Sequence, residues 1–156
     1  TLLNYAEVKS FTKDGGLISG LCFTDIINKK NYKIKAKVIV NATGVFSDQI
    51  IKLDQPNAKP MIRPSQGVHL VLEKKFLNGP YAIMVPQTSD GRVLFAVPWN
   101  NYVVVGTTDT PISKTSDEPT ALKEEINFIL RNAGNYMTKK PKISDVKSVF
   151  AGLPSQ

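Results

Sequence analysis

Val38-Ile39-Val40-Asn41-Ala42-Thr43-Gly44 is a short apolar, β-branched run that ends abruptly in a small polar turn. After it, Phe46, Ile50, Ile51 and Leu53 recur at the spacing of one helix face. The run predicts a buried strand whose C-terminal end feeds a helix over 46–53. Backbone N–H groups at such a junction attract anions, and Gly44 lets a ligand approach the main chain closely. An ordinary strand–turn–helix without a ligand satisfies the same residues.

Upstream, residues 4–40 read as a three-stranded β-meander. Lys13-Asp14-Gly15-Gly16 is a strong hairpin signal, and Asn28-Lys29-Lys30-Asn31 marks the second turn. Lys29, Lys30, Lys33, Lys35 and Lys37 form the densest basic cluster, and between Tyr32 and Val38 lysines alternate with Tyr32, Ile34, Ala36 and Val38. Period-two alternation predicts a half-buried strand with its lysines on the wet face, rather than a binding patch.

Downstream, Asp54-Gln55-Pro56-Asn57 and Pro60 break the helix. Residues 61–108 hold candidate strands at 68–73, 81–86, 92–98 and 102–107. Asp90-Gly91 and Asn100-Asn101 suit tight hairpins, so an antiparallel sheet with strands in sequence order is expected. A polar loop over 107–120 leads to a helix of about 122–137. Its apolar stripe is Leu122, Ile126, Ile129, Leu130, Ala133 and Met137. Thr120 is a candidate N-cap, Glu124 and Glu125 suit the early turns, and Gly134 weakens the end. A last strand is expected over Val146–Ala151. The fold class is therefore α+β, with one part at 1–60 and another at 61–156.

The chain has 156 residues, 42% of them hydrophobic, and a formal charge of +7. No apolar run approaches the roughly 20 residues of a membrane-spanning helix, and no signal or transit peptide is visible. Positive charge suits nucleic acid, anionic lipid or a phosphorylated substrate, but no nucleic-acid motif is present, so no nucleic-acid partner is expected. Cys22 is the only cysteine and His69 the only histidine. A single cysteine permits no intrachain disulfide, points to a reducing compartment, and with one histidine argues against a Cys/His zinc site, so no metal is expected. The chain opens at Thr1 rather than Met, so an excised piece of a longer protein is expected.

Four blocks and one helix, in order, resemble a known family. They are Asn4-Tyr5-Ala6-Glu7-Val8; Val38 to Gly44 with Val45-Phe46-Ser47-Asp48; Arg63-Pro64-Ser65-Gln66-Gly67-Val68-His69-Leu70-Val71; and Asp90 to Trp99 with Val105-Gly106-Thr107-Thr108-Asp109-Thr110. The helix with Glu124-Glu125-Ile126 completes the set. Together they are similar to FAD-dependent glycerol-3-phosphate dehydrogenase, within the D-amino-acid-oxidase-like flavoproteins. The resemblance implies a partial FAD-binding domain joined to a partial substrate domain made of an antiparallel sheet and a packed helix. The G-x-G-x-x-G turn that holds the FAD pyrophosphate in this family does not occur in the chain. Nor does the arginine that follows the equivalent of Ala151-Gly152-Leu153. An internal fragment is therefore expected, with FAD held by the full-length parent and weakly or not at all by the chain alone. Gln66 stands where relatives often carry lysine.

The resemblance implies that Ala6 and Val8 pass the adenine, and that Thr43 and Gly44 are cofactor-side residues. His69 is the catalytic candidate, because imidazole can take a proton near neutral pH; a strand histidine satisfied by a neighbour is the alternative. Arg63 can clamp a phosphate through paired hydrogen bonds or pin its own loop. Thr108 can line a substrate pocket or cap the following turn. Trp99 reads as sheet packing. The implied reaction is oxidation of sn-glycerol 3-phosphate to dihydroxyacetone phosphate, with electrons passing through FAD to quinone or oxygen. A cytoplasmic location is expected, the parent being peripheral on the inner face of the cytoplasmic membrane. Two other functions fit the residues: a related flavoenzyme for an amine or 2-hydroxy acid, and a non-catalytic anion-binding module.

Overall fold

The computed structural model describes residues 1–154. The chain divides into two compact units, Thr1–Ile62 and Arg63–Gln156.

The first unit is built on an antiparallel meander of β1 (Ala6–Asp14), β2 (Leu17–Asp25) and β3 (Lys30–Lys35), in that order. Gly15 and Gly16 make the first turn, both with positive φ. At the second turn Asp25 accepts from the Ile27 and Asn28 amides at 2.9 and 3.1 Å, an Asx arrangement that closes the hairpin. β3 is an edge strand and is exposed along its whole length, not half-buried. Tyr32 and Ile34 remain 46% and 42% exposed, since among the described strands β3 pairs with β2 alone.

Val38-Ile39-Val40 forms no strand. The backbone there is irregular, with Val38 76% and Val40 80% exposed. A buried strand needs neighbours on its edges and faces, and no described strand pairs with this one. A 3₁₀ turn over Gly44–Phe46 then leads into the short helix α1 (Ser47–Lys52).

The second unit carries a six-stranded sheet of β4 (Ser65–Glu73), β5 (Ile83–Val85), β6 (Leu94–Trp99), β7 (Tyr102–Gly106), β8 (Thr110–Pro111) and β9 (Ser148–Gly152). Every pairing is antiparallel, but the strands do not follow sequence order. The path is β5-β6-β7-β4-β8, with β9 also on β4. β4 is central because its even-numbered residues Val68, Leu70 and Leu72 are apolar and fully buried, and a central strand gives that face neighbours on both edges.

Alternation divides the sheet. On one face Val68, Leu70 and Leu72 of β4 join Val103 and Val105 of β7 and Leu94 and Ala96 of β6. Helix α2 (Lys123–Ala133) covers them with Ile129 and Ala133. Fully burying each such side chain contributes about 1.5–3 kcal/mol. The opposite face is open, and Trp99, which reads as sheet packing, stands there 66% exposed.

Two turns behave differently. Asn100-Asn101 joins β6 to β7 directly, with Asn100 at φ 54 as such tight turns require. Asp90-Gly91 sits instead in a longer loop over 86–93. That loop is drawn toward α2, where the Ser89 amide donates to Asn132 Oδ1 at 2.9 Å and Arg92 stacks on Phe128 at 4.7 Å. Leu122, not Thr120, is the N-cap of α2, and the helix ends at Ala133 rather than near 137. The Thr120 carbonyl is occupied by the Gln66 amide at 3.0 Å.

Candidate functional site

The open face of the second unit centres on His69. Register sets one row across five strands: Met84 opposite Phe95, Phe95 opposite Gly106, Gly106 opposite His69, and His69 opposite Phe150. The imidazole lies flat on the Phe150 ring, with centroids 5.0 Å apart and planes 6° apart. On its other side, a Cβ at residue 106 would stand 2.4 Å from His69 Cδ2. Only glycine leaves room for the ring there. Partial burial lowers the His69 pKa below its ordinary value, so the imidazole is neutral near pH 7 and able to accept a proton. Around it Phe95 and Phe150 are each 49% exposed, giving an apolar floor with one titratable group in its middle.

Arg63 and Thr108 do not meet His69 in this arrangement. Arg63 is exposed before the start of β4. With Ser65 and Asp109 it lines an open cavity of about 220 Å³, and the Ser65 hydroxyl oxygen is itself buried with no hydrogen-bond partner among the described residues. Extended backbone places Arg63 roughly 20 Å along the strand from His69, farther than a three-carbon phosphate ester reaches. Thr108 is 2% exposed, and its hydroxyl is bonded on two sides within the fold.

Glu125 is the residue whose importance the sequence hides. A glutamate in a first helical turn reads as a dipole complement, yet this one is only 4% exposed. Oε1 accepts from Thr110 Oγ1 at 2.6 Å and Thr108 Oγ1 at 3.1 Å; Oε2 accepts from Gln66 Nε2 and the Leu122 amide, each at 2.8 Å. Burial pushes its pKa up, but the hydrogen bonds from Thr110, Leu122, Gln66 and Thr108 together outweigh it and hold the carboxyl below its ordinary value. Glu125 is therefore an ionised acceptor. The only signal in the sequence is a Glu at the third helical position, able to reach back to the cap amide. Gln66 supplies one of the four donors.

In the first unit the turn before α1 is organised by Asn41, another residue without an assigned role in the sequence. Its Oδ1 accepts from Thr43 Oγ1 at 2.7 Å, and its Nδ2 donates to the Ser47 carbonyl at 3.0 Å. Gly44 has φ 56, and nothing lies within 4 Å of where a Cβ would stand. Ala6 and Val8 are half-buried on β1, where Val8 stands opposite Phe23. Gly44 leaves its main chain bare, and Ala6 and Val8 present small apolar side chains on β1.

Among the described residues no helix is long and apolar enough to cross a membrane. The mitochondrial glycerol-3-phosphate dehydrogenase of Schizosaccharomyces pombe is 38% identical over 98% of this chain, which covers 25% of that protein. Its Arabidopsis thaliana counterpart is 40% identical over 97% of the chain, covering 24% of the relative. The chain thus spans about a quarter of the length of these relatives. The solved glycerol-3-phosphate dehydrogenase of Bacillus halodurans, complexed with FAD, superposes with a TM-score of 0.89 at 34% identity, over 99% of this chain and 31% of that one. Residues 1–155 match the FAD dependent oxidoreductase family along almost their whole length, and the chain belongs to that family.

Proposed function

We propose that this chain forms part of an FAD-dependent glycerol-3-phosphate dehydrogenase, with His69 as the group that takes the substrate's hydroxyl proton. The observation that carries the reading is His69 itself. It is the only histidine, kept neutral by partial burial, and it stands in the centre of an open apolar sheet face. The names of the relatives at 38% and 40% identity supply the substrate class.

Bound FAD supplies a two-electron acceptor. The chain's own part is to orient and deprotonate. As the C–H bond of the secondary alcohol breaks and its carbonyl forms, the hydroxyl proton passes to an imidazole nitrogen of His69. Phe95 and Phe150 give it an apolar floor on the open face. Thr43 and Gly44 would offer main-chain approach to the cofactor, and Ala6 and Val8 a flat apolar surface. Arg63 belongs to a separate anion-facing end of β4, so the phosphate of a substrate at His69 needs a partner other than Arg63. Transfer of electrons to quinone or oxygen, and a place at the inner face of a membrane, go with the same reading.

The test is His69→Ala in a flavin-loaded protein that carries the chain. Turnover per bound flavin with glycerol 3-phosphate is expected to fall while flavin content stays constant. Near-normal turnover would remove His69 from the reaction. A preference of the unmodified protein for an amine or a 2-hydroxy acid over glycerol 3-phosphate would overturn the substrate.

A further inference from the structure

We propose that Thr108 and Glu125 are positioning residues for His69, holding the stretch of β4 that carries the imidazole. The β4–β7 ladder runs from Glu73 opposite Tyr102 to His69 opposite Gly106 and ends there. The next amide along β4 belongs to Val68, which is fully buried. A buried N–H must find an acceptor. It donates to Thr108 Oγ1 at 2.9 Å. The hydroxyl thus continues the ladder one step past the end of β7.

A hydroxyl accepting from Val68 needs a fixed outlet for its own proton, or it rotates away. Glu125 Oε1, 3.1 Å distant, supplies the outlet. An ionised carboxylate only accepts, so it cannot reverse the chain of donation. Its other three partners, Thr110, Gln66 and the Leu122 amide, are donors too, and they fix the carboxylate from β8, β4 and the start of α2. Glu125 and Thr108 are 4% and 2% exposed, so water does not compete for these bonds.

The arrangement bears on His69 because the ring has little slack. A Cβ at Gly106 would stand 2.8 Å from both His69 Cγ and the Val68 carbonyl oxygen. The imidazole and the Val68 main chain therefore close on the same small space. A displaced Val68 moves the ring against Phe150, which stacks on it at 5.0 Å. Thr108 thereby acts from inside the fold, through the backbone, rather than by touching substrate. Its importance to the reaction rests on the His69 role proposed above; its effect on the ring does not.

His69 is the one histidine of this sequence, and in the protein that carries it the His69 imidazole signal is identified under histidine-selective isotope labelling by its loss in His69→Ala, while Val68 amide exchange reports the bond itself. In folded Thr108→Val, nearly the same shape without either hydroxyl function, the imidazole resonance is expected to move or broaden and Val68 exchange to accelerate about tenfold. Thr108→Ser should restore both. Thr110→Val removes a Glu125 donor that does not touch Val68 and should displace the imidazole signal less than Thr108→Val does. An unmoved signal in Thr108→Val, or an equal displacement in Thr110→Val, overturns the proposal. If Thr108→Val does not fold, Glu125→Gln is measured instead; it sets an amide NH₂ against the donors that Glu125 now accepts and should displace the imidazole signal in the same way, an unmoved signal again overturning the proposal. Loss of turnover in His69→Ala together with an unmoved signal would sink the positioning role alone. A displaced signal with normal His69→Ala turnover would sink the catalytic reading and leave the positioning intact.

Discussion

The two faces of the six-stranded sheet are made by the same strands and have opposite fates. Residues 68, 70 and 72 of β4 are fully buried beneath α2, whereas residues 69 and 71, one step away, are only half-buried, and Phe95 and Trp99 on the same face are 49% and 66% exposed. With His69 in the role proposed above, the period of two puts stability on one face and chemistry on the other. A substitution on one side should therefore change what a denaturant reads, and a substitution on the other what a turnover assay reads.

The largest expected effect tests the open face. His69→Ala should cut turnover per bound flavin by about 10²–10⁴-fold with an unchanged melting temperature. A large fall in melting temperature with normal turnover would mean that the two faces do not divide the work in this way. Next comes the closed face. Leu70→Ala opens a cavity under α2 and should lower unfolding free energy by about 2–5 kcal/mol in a denaturant titration. A loss well below that range would show that α2 settles freely into the space.

A smaller effect lies at the loop that ties the sheet to α2. The Arg92 guanidinium, with Nε 2.7 Å from Asp90 Oδ2, holds the Asp90 pKa down to about 2 from an ordinary 3.8. A carboxyl depressed by folding contributes stability that is present above about pH 4 and lost as pH falls toward 2. Both partners are about a third exposed, which limits the pair to about 0.2–1 kcal/mol. Arg92→Gln should raise the midpoint of acid unfolding slightly and leave stability near pH 7 almost unchanged beyond that amount. The same acid midpoint in variant and parent would show that Arg92 does not act through Asp90. The smallest effect is Trp99→Ala, expected to change the denaturation midpoint by no more than about 0.5 kcal/mol equivalent, because the ring stands mostly in solvent. A loss of several times that size would mean the open face is covered in solution.

Local signals told most about local structure. Gly15-Gly16 and Asn100-Asn101 announced their hairpins because positive φ restricts which residues can stand there. The stripe through Ile129 and Ala133 announced the helix face that reaches the core. Strand order was not readable, since the place of β4 between β7 and β9 depends on pairings with residues about thirty or more positions away. The same holds for Glu125. Gln66, Thr108 and Thr110 decide its burial, and no window around residue 125 contains them. His69 could be named as a candidate from its uniqueness, but its seat between Gly106 and Phe150 could not, because both neighbours arrive by sheet register.

The uncovered Val38-Ile39-Val40 stretch has a consequence for the chain as a material. A β-branched run that pairs with no described strand is the kind of segment that nucleates cross-β stacking between copies. Lys35 and Lys37, both exposed, stand immediately before it as gatekeepers, placing repeated positive charge next to any growing stack. Their repulsion works over about a nanometre at moderate ionic strength and shrinks as salt rises. Colloidal stability of the chain should therefore be salt-sensitive, and neutralising these two lysines should hasten its conversion to fibrils.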